Sequence, residues 1–224
     1  MKYTGLWVGG LCLLCACSSP QKAPIDYVDP FIGTGFHGHT YPGATAPFGA
    51  VQLSPDTRRG NWDASSGYHY SDSTILGFSH THLSGTGCQD LGDVLLRPTT
   101  QPVRTEGEGD IFLPAAFSHD SEKASPGYYA VTLADEQIKV ELAATTFAGM
   151  HRYSYLNDKD ASVIVDLTHI LNTDDFIYEA EVKQTADNEL VGMRRTRSWV
   201  DNQYIYFVLQ FSKPIQELQQ INEK

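Results

Sequence analysis

The chain has 224 residues, with 27 acidic against 16 basic side chains and a formal net charge of −11. That balance argues against nucleic acid as a partner, because affinity for a phosphate backbone rests on Lys and Arg contacts, and it leaves neutral sugars open. With 41% hydrophobic residues the chain is long enough for one good core or two small ones.

A single cation, Lys2, precedes the apolar run Leu6 to Ala16, which closes on Leu14-Cys-Ala-Cys17 and then Ser-Ser-Pro. The run falls short of the roughly 20 apolar residues a spanning helix needs. Leu-x-Ala-Cys resembles a bacterial lipoprotein signal, in which the last cysteine is lipidated and becomes the mature N-terminus. The expectation is a signal peptide over 1–16, lipidation at Cys17, a polar tether over 17–26, and a lipid anchor to a bacterial membrane without a span. Ser18 carries no sign of inner-membrane retention, so the expected address is the outer membrane. No acidic run follows Cys17, which points to the periplasmic face. Cys12 and Cys15 leave with the signal and Cys17 takes lipid, so Cys88 remains as a free thiol.

Ala46 to Ser54 reads as a strand bounded by Pro47 and Pro55, and Thr74 to Ser79 and Val94 to Arg97 as shorter ones. Arg104 to Ser125 is polar and acidic, an extended loop with one short strand at Ile111 to Leu113. From Gly127 the signal strengthens. Strands are expected at Tyr128 to Leu133, Ile138 to Thr146, Met150 to Tyr155, Ala161 to Leu167, Phe176 to Gln184, Leu190 to Arg197 and Tyr204 to Phe211. Ile138, Val140, Leu142 and Ala144 share one face against Lys139 and Glu141; Ile205, Phe207 and Leu209 alternate with Tyr204, Tyr206 and Gln210. This period of two is that of a half-buried sheet. It predicts an all-β fold, a mostly antiparallel β-sandwich over 27–213, with strands concentrated after 127. Ile215, Leu218 and Ile221 behind Pro214 give 214–224 the composition of a linker or an opening helix.

A block dense in glycine, histidine and aromatics carries the chemistry. It comprises Gly33 to Gly43, Trp62 to Tyr70 and Phe78 to Asp93, holds five of the eight histidines, and is expected on loops at one edge of the sandwich. The pairs His37-x-His39 and His80-x-His82 would each point one way in an extended strand. Zinc ligation, hydrogen bonding to loop backbone and contact with ligand hydroxyls are all open to these imidazoles. Trp62 lies in a loop-like stretch, where an aromatic plate can pack on the apolar face of a sugar. Asp90 and Asp93 invite a comparison with the paired carboxylates of glycosidases, yet three residues is a short separation and flanking glycines suit turn caps. No nucleophile elbow or phosphate loop occurs.

Val28 to Thr57, VDPFIGTGFHGHTYPGATAPFGAVQLSPDT, closely resembles the opening of glycoside hydrolase family 92. Ser66 to Ser73, SGYHYSDS, and Gly77 to Cys88, GFSHTHLSGTGC, resemble its next two signatures; Glu141 to Thr146, His151-Arg-Tyr and Phe211-Ser-Lys-Pro also fit. The resemblance implies a calcium-dependent, inverting exo-α-mannosidase acting on mannose-containing glycans. It implies an N-terminal β-sandwich joined to a C-terminal (α/α)6 domain, the latter carrying both catalytic carboxylates and the main calcium ligands and lying outside this stretch. No catalytic or metal-ligating residue is therefore expected within the chain. The substrate-recognition loops are expected to contribute Trp62, His37, His39, Asp63, Cys88 and Asp90. Ala64, Ser65, Gln89 and Ala50 depart from the family pattern and loosen inference about linkage preference. A non-catalytic carbohydrate-binding lipoprotein, or a sandwich whose His-Gly loops only pack, are the rival readings.

Overall fold

The computed structural model describes residues 22–102, 114–157 and 161–221. The expected signal peptide, lipidation at Cys17 and the strand at Ile111 to Leu113 lie outside the described residues. Strands β1 (Ala44–Thr45), β2 (Gln52–Asp56), β3 (Thr74–Ile75), β4 (Gly77–Ser79) and β5 (Leu95–Thr99) come first. Then follow β6 (Ala115–Ala116), β7 (Lys123–Ser125), β8 (Tyr128–Leu133), β9 (Ile138–Ala144), β10 (Gly149–Tyr155), β11 (Ser162–Asp166), β12 (Phe176–Ala186), β13 (Glu189–Arg197) and β14 (Gln203–Gln210). Every pairing among the described residues is antiparallel.

A five-stranded sheet in the order β1-β2-β4-β5-β11 faces a four-stranded meander, β10-β9-β8-β7. Ala44, Leu53 and Phe78 from the first pack against Tyr129, Val131, Leu133, Ile138, Val140 and Leu142 from the second, with Ile75, Ala115 and Phe117 closing the core. The alternation along β9 is the one expected, with Ile138, Val140 and Leu142 buried and Lys139 and Ala143 exposed. The first sheet is completed from a distance. β11 returns to pair with β5, setting Ser162 opposite Thr99 and Asp166 opposite Leu95. β5 is thereby buried along its whole length. Arg97 in its middle donates to the carbonyls of Ile75 and Leu76 and pairs with Glu136 at 3.3 Å.

The third sheet, β12-β13-β14, is a meander. Leu190, Arg194 and Thr196 are buried, while Tyr204, Tyr206 and Val208 stand exposed on the opposite face. Phe207 lies directly over Gly192, where a Cβ would come within 2.3 Å of the ring, so only glycine fits beneath it.

Two expectations are corrected. The strand expected from Ala46 starts only at Gln52. Pro47 and a left-handed Phe48 (φ 57) form a tight turn closed by Gly49 N–H to Ala46 C=O at 2.9 Å. The Gly-His block is not wholly peripheral, because β4 within it lies between β2 and β5. Of the two readings of the C-terminal stretch, linker or opening helix, the described residues 215–221 are irregular, and Ile215 N–H is held by the carbonyl of Asp187 at 2.7 Å beside the β12–β13 turn.

Candidate functional site

The Gly33 to Gly43 loop doubles back on itself. Thr40 N–H reaches Gly33 C=O at 3.3 Å and Thr40 Oγ1 donates to Ile32 C=O at 2.8 Å. A Cβ at Gly38 would sit 2.0 Å from the Gly33 carbonyl oxygen, so the chain crosses itself where no side chain fits. Phe36 and His39 both take left-handed backbone with φ 55, a conformation that is uncommon without glycine and that clusters at functional sites. The loop is therefore not extended, and His37 and His39 do not share a face: His37 is exposed, His39 is buried.

Trp62 starts a one-turn 3-10 helix, Trp62–Ala64, capped by Asn61, whose side chain accepts from Asp63 N–H at 3.0 Å. The turn presents Asp63 to His37, with Nδ1 and Oδ1 2.5 Å apart. His37 Nδ1–H donates to the Asp63 carboxylate, which leaves Nε2 of the neutral ring as an acceptor. The Trp62 ring is 56% exposed. His37 lies 5.2 Å from it and His39 meets it edge-on at 4.3 Å. Beneath them comes the 85–88 loop. Gly85 N–H donates to His39 C=O at 2.6 Å, and a Cβ at Gly87 would lie 2.9 Å from the His39 ring and 3.5 Å from Trp62 Nε1. His39 is only 8% exposed and its Nε2 has no hydrogen-bond partner among the described residues. A buried polar atom left in this state costs about 1–3 kcal/mol, and here it sits against an open aromatic face.

The structure thus brings His37, His39, Trp62 and Asp63 together, with Cys88 next to the glycine that seals them. Asp90 is not among their contacts: its Oδ1 accepts from Leu91 N–H at 2.7 Å and its charge bears on Asp175. Asp93 is a strut. It accepts from Thr81 Oγ1 at 2.7 Å and Gln203 Nε2 at 2.8 Å and pairs with buried Arg194 at 3.3 Å, fastening the block to β13 and β14.

His80 and His82 diverge as well. His82 is buried and donates Nδ1–H to Gln52 C=O at 2.7 Å, with Nε2 2.7 Å from Asp56. His169 Nε2 reaches the other Asp56 oxygen at 2.9 Å. Burial works to raise the Asp56 pKa, but the two imidazoles outweigh it and hold the carboxyl well below its ordinary value. His80 instead turns to Val94 and His151. These two histidines brace the loops, as one of the sequence readings had it.

Sequence reasoning missed Asp56, His169, Arg194 and Asp175, because no local spacing joins partners so far apart in the chain. Asp175 has a buried Oδ1 without a partner among the described residues. Burial, then the neighbouring Asp90 charge, push its pKa up.

Calcium takes six to eight oxygen ligands. Among the described residues no group of three or more His, Cys, Asp or Glu side chains is placed to hold a metal ion. The buried carboxylates Asp56 and Asp93 are committed to imidazoles, a guanidinium and an amide. The described residues do not fit calcium. Among them, too, no helix is long and apolar enough to cross a membrane.

Residues 27–224 match the glycosyl hydrolase family 92 N-terminal domain, and the chain belongs to that family. It is similar to the GH92 α-mannosidase BT3965 from Bacteroides thetaiotaomicron, whose structure is known alone and with mannoimidazole. The identity is 40% and the TM-score 0.80, over 86% of this chain and 26% of that one. It is also similar to the GH92 inverting mannosidase BT2199 of the same organism, at 27% identity and TM-score 0.67, over 88% of this chain and 26% of that one. An uncharacterized secreted glycosidase of Arthroderma benhamiae is 29% identical over 189 residues, 76% of this chain and 23% of the relative. The chain spans about a quarter of the length of these relatives.

Proposed function

We propose that this chain is the N-terminal, substrate-recognition part of a calcium-dependent, inverting exo-α-mannosidase that acts on mannose-containing glycans. The observation that carries the reading is the exposed Trp62 ring braced by His37 and by a buried His39 whose Nε2 has no partner. An indole face stacks on the apolar side of a pyranose while adjoining imidazoles exchange hydrogen bonds with its hydroxyls. Asp63 fixes the His37 tautomer, so the ring presents an acceptor at Nε2. Cys88, next to Gly87, borders the same loops and belongs to the proposed contact surface, whereas buried Asp90 stands apart from it.

Inversion needs an acid on the leaving oxygen and a base on water, about 6.5–9.5 Å apart. The reading assigns both, and the calcium ligands, to the helical domain that family resemblance implies. Calcium would there help hold sugar hydroxyls and water. Within this chain the work is binding and orienting. The lipoprotein reading of Cys17 accompanies the proposal: an enzyme anchored at the bacterial outer membrane, facing the periplasm, supported by the Leu-x-Ala-Cys pattern; the secreted relative supports export alone.

The test is turnover of α-mannobiosides by the full-length gene product, with and without a calcium chelator. Hydrolysis that disappears with chelation and yields the β-anomer first supports the reading. Mannoside binding without any turnover would favour the carbohydrate-binding alternative.

A further inference from the structure

The loop that carries His37 also walls a second concavity. An open groove of about 480 Å³ is lined by Asp29, Phe31, Ile32, Thr34, Tyr70 and His119, with buried Glu122 at its base. Tyr70 and His119 stack face to face, centroids 4.1 Å apart and planes 16° from parallel. Phe31 meets Tyr70 edge-on at 6.1 Å and Phe117 meets His119 edge-on at 5.1 Å.

Glu122 organises the stack. Its side chain is 1% exposed and lies 2.5 Å from His119 Nδ1. It also accepts from Tyr129 Oη at 2.6 Å and Tyr68 Oη at 3.1 Å. Burial, then the Glu122 charge, push both phenols far above their ordinary value, so both remain donors. His119 supplies the third proton through Nδ1–H. Its Nε2 is then a lone-pair acceptor, with no hydrogen bond among the described residues.

Among the described residues no lysine or arginine lines the groove, while Asp29 and Glu122 place negative charge beside it. Phosphate, sulfate and carboxylate ligands are disfavoured. Aromatic and aliphatic walls with a fixed acceptor and no cation suit a neutral ring bearing hydroxyls, and the volume falls within the usual range for ligand sites.

We propose that this groove is a second glycan-holding surface. It takes a neutral hexopyranose unit of a mannose-containing glycan by apolar contact with the Tyr70–His119 stack, and one sugar hydroxyl donates to His119 Nε2. The proposal rests on the glycan-handling reading above.

The test is retention of the full-length protein in native gels cast with soluble α-mannan, a readout that needs no turnover. Tyr70→Ala is expected to weaken retention about tenfold, equivalent to about 1.4 kcal/mol. Ile32→Arg, at a position 73% exposed, is expected to do the same by bringing bulk and charge into the groove without touching the core. Both losses should persist in a Trp62→Ala background, which separates this surface from the Trp62 platform. Unchanged retention in both variants, or no retention of the wild type, overturns the groove. Absence of α-mannoside turnover bears on the enzyme reading instead and leaves the gel result to decide.

Discussion

His80 and His151 meet through their Nε2 atoms at 3.0 Å, joining the segment after β4 to β10 across the sandwich. His80 Nδ1 donates to Val94 C=O at 2.6 Å and Tyr153 Oη donates to His151 Nδ1 at 2.8 Å. With both outer positions assigned, one proton lies between the two Nε2 atoms and both rings are neutral. A second proton destroys the contact.

Acid should therefore loosen the sandwich before its carboxylates titrate. Burial holds His80 down at about 4 and His151 well below its ordinary value, with neighbouring imidazoles adding to the effect. In the unfolded chain both take up protons near 6.5. The stabilisation is complete above that value and is lost as pH falls towards about 4. Asp56 acts in a lower window, since its contribution is lost only as pH falls below its ordinary 3.8. Urea unfolding at pH 7.5 and pH 5.0 should show a loss on the order of 2 kcal/mol. Equal stabilities at the two values would remove the clasp from the account.

Asp56→Asn should be severe. The side chain is fully buried and bridges His82 and His169, and Gly67 packs so closely that a Cβ there would lie 2.1 Å from Oδ1. The amide keeps one acceptor and adds a donor facing an imidazole. A loss of about 3–5 kcal/mol is expected, read from denaturant midpoints. A change below about 1 kcal/mol would contradict the bridging role.

Trp62→Ala should separate activity from stability. The ring is half exposed, so the unfolding midpoint should hardly move. In the full-length enzyme kcat/KM on α-mannosides should fall by about 1–3 kcal/mol of transition-state stabilisation. His39→Ala should cost less, as one neutral hydrogen bond is replaceable by water. Wild-type kinetics in the Trp62 variant would move that residue to a packing role.

Phe48→Gly should stabilise. Phe48 holds φ 57 and is fully exposed, so glycine relieves the left-handed backbone without surrendering buried area. A gain of about 0.5–1 kcal/mol is expected from thermal or chemical unfolding. A lower midpoint would show that the ring has a partner in solution.

What the sequence made legible was periodic or local. β8 spans Tyr128–Leu133 as expected, and β9 to β14 lie within about two residues of their expected ends; in β9 and β14 alternation marks the more buried face, and elsewhere turn residues between β-branched and aromatic runs set the ends. Trp62 was singled out because an aromatic in a loop needs a reason. The His-x-His pairs misled, since their geometry depends on backbone that folds back at His39 and diverges after β4. Asp56, His82 and His169 were unreadable as a unit, because the Asp56–His169 hydrogen bond joins residues 113 apart in sequence. The Pro47–Phe48 turn was hidden by an apolar run with strand composition, Pro47 being taken for a boundary when it is the corner itself.

The return of β11 to β5 has a consequence during synthesis. Until Ser162 to Asp166 leave the ribosome, one edge of β5 has no neighbour. At about 5–20 residues per second that edge stays open for several seconds, while the β7–β10 meander, whose pairings are all local, can already close. An unpaired strand invites a neighbouring nascent chain. β5 carries Arg97 at its middle and Pro98 after it, and charge and proline are the residues that discourage edge-to-edge pairing. Both are buried in the finished sandwich, where Arg97 needs the Ile75 and Leu76 carbonyls and Glu136 to be accommodated. Their value to the protein lies partly in the interval before the sheet is complete.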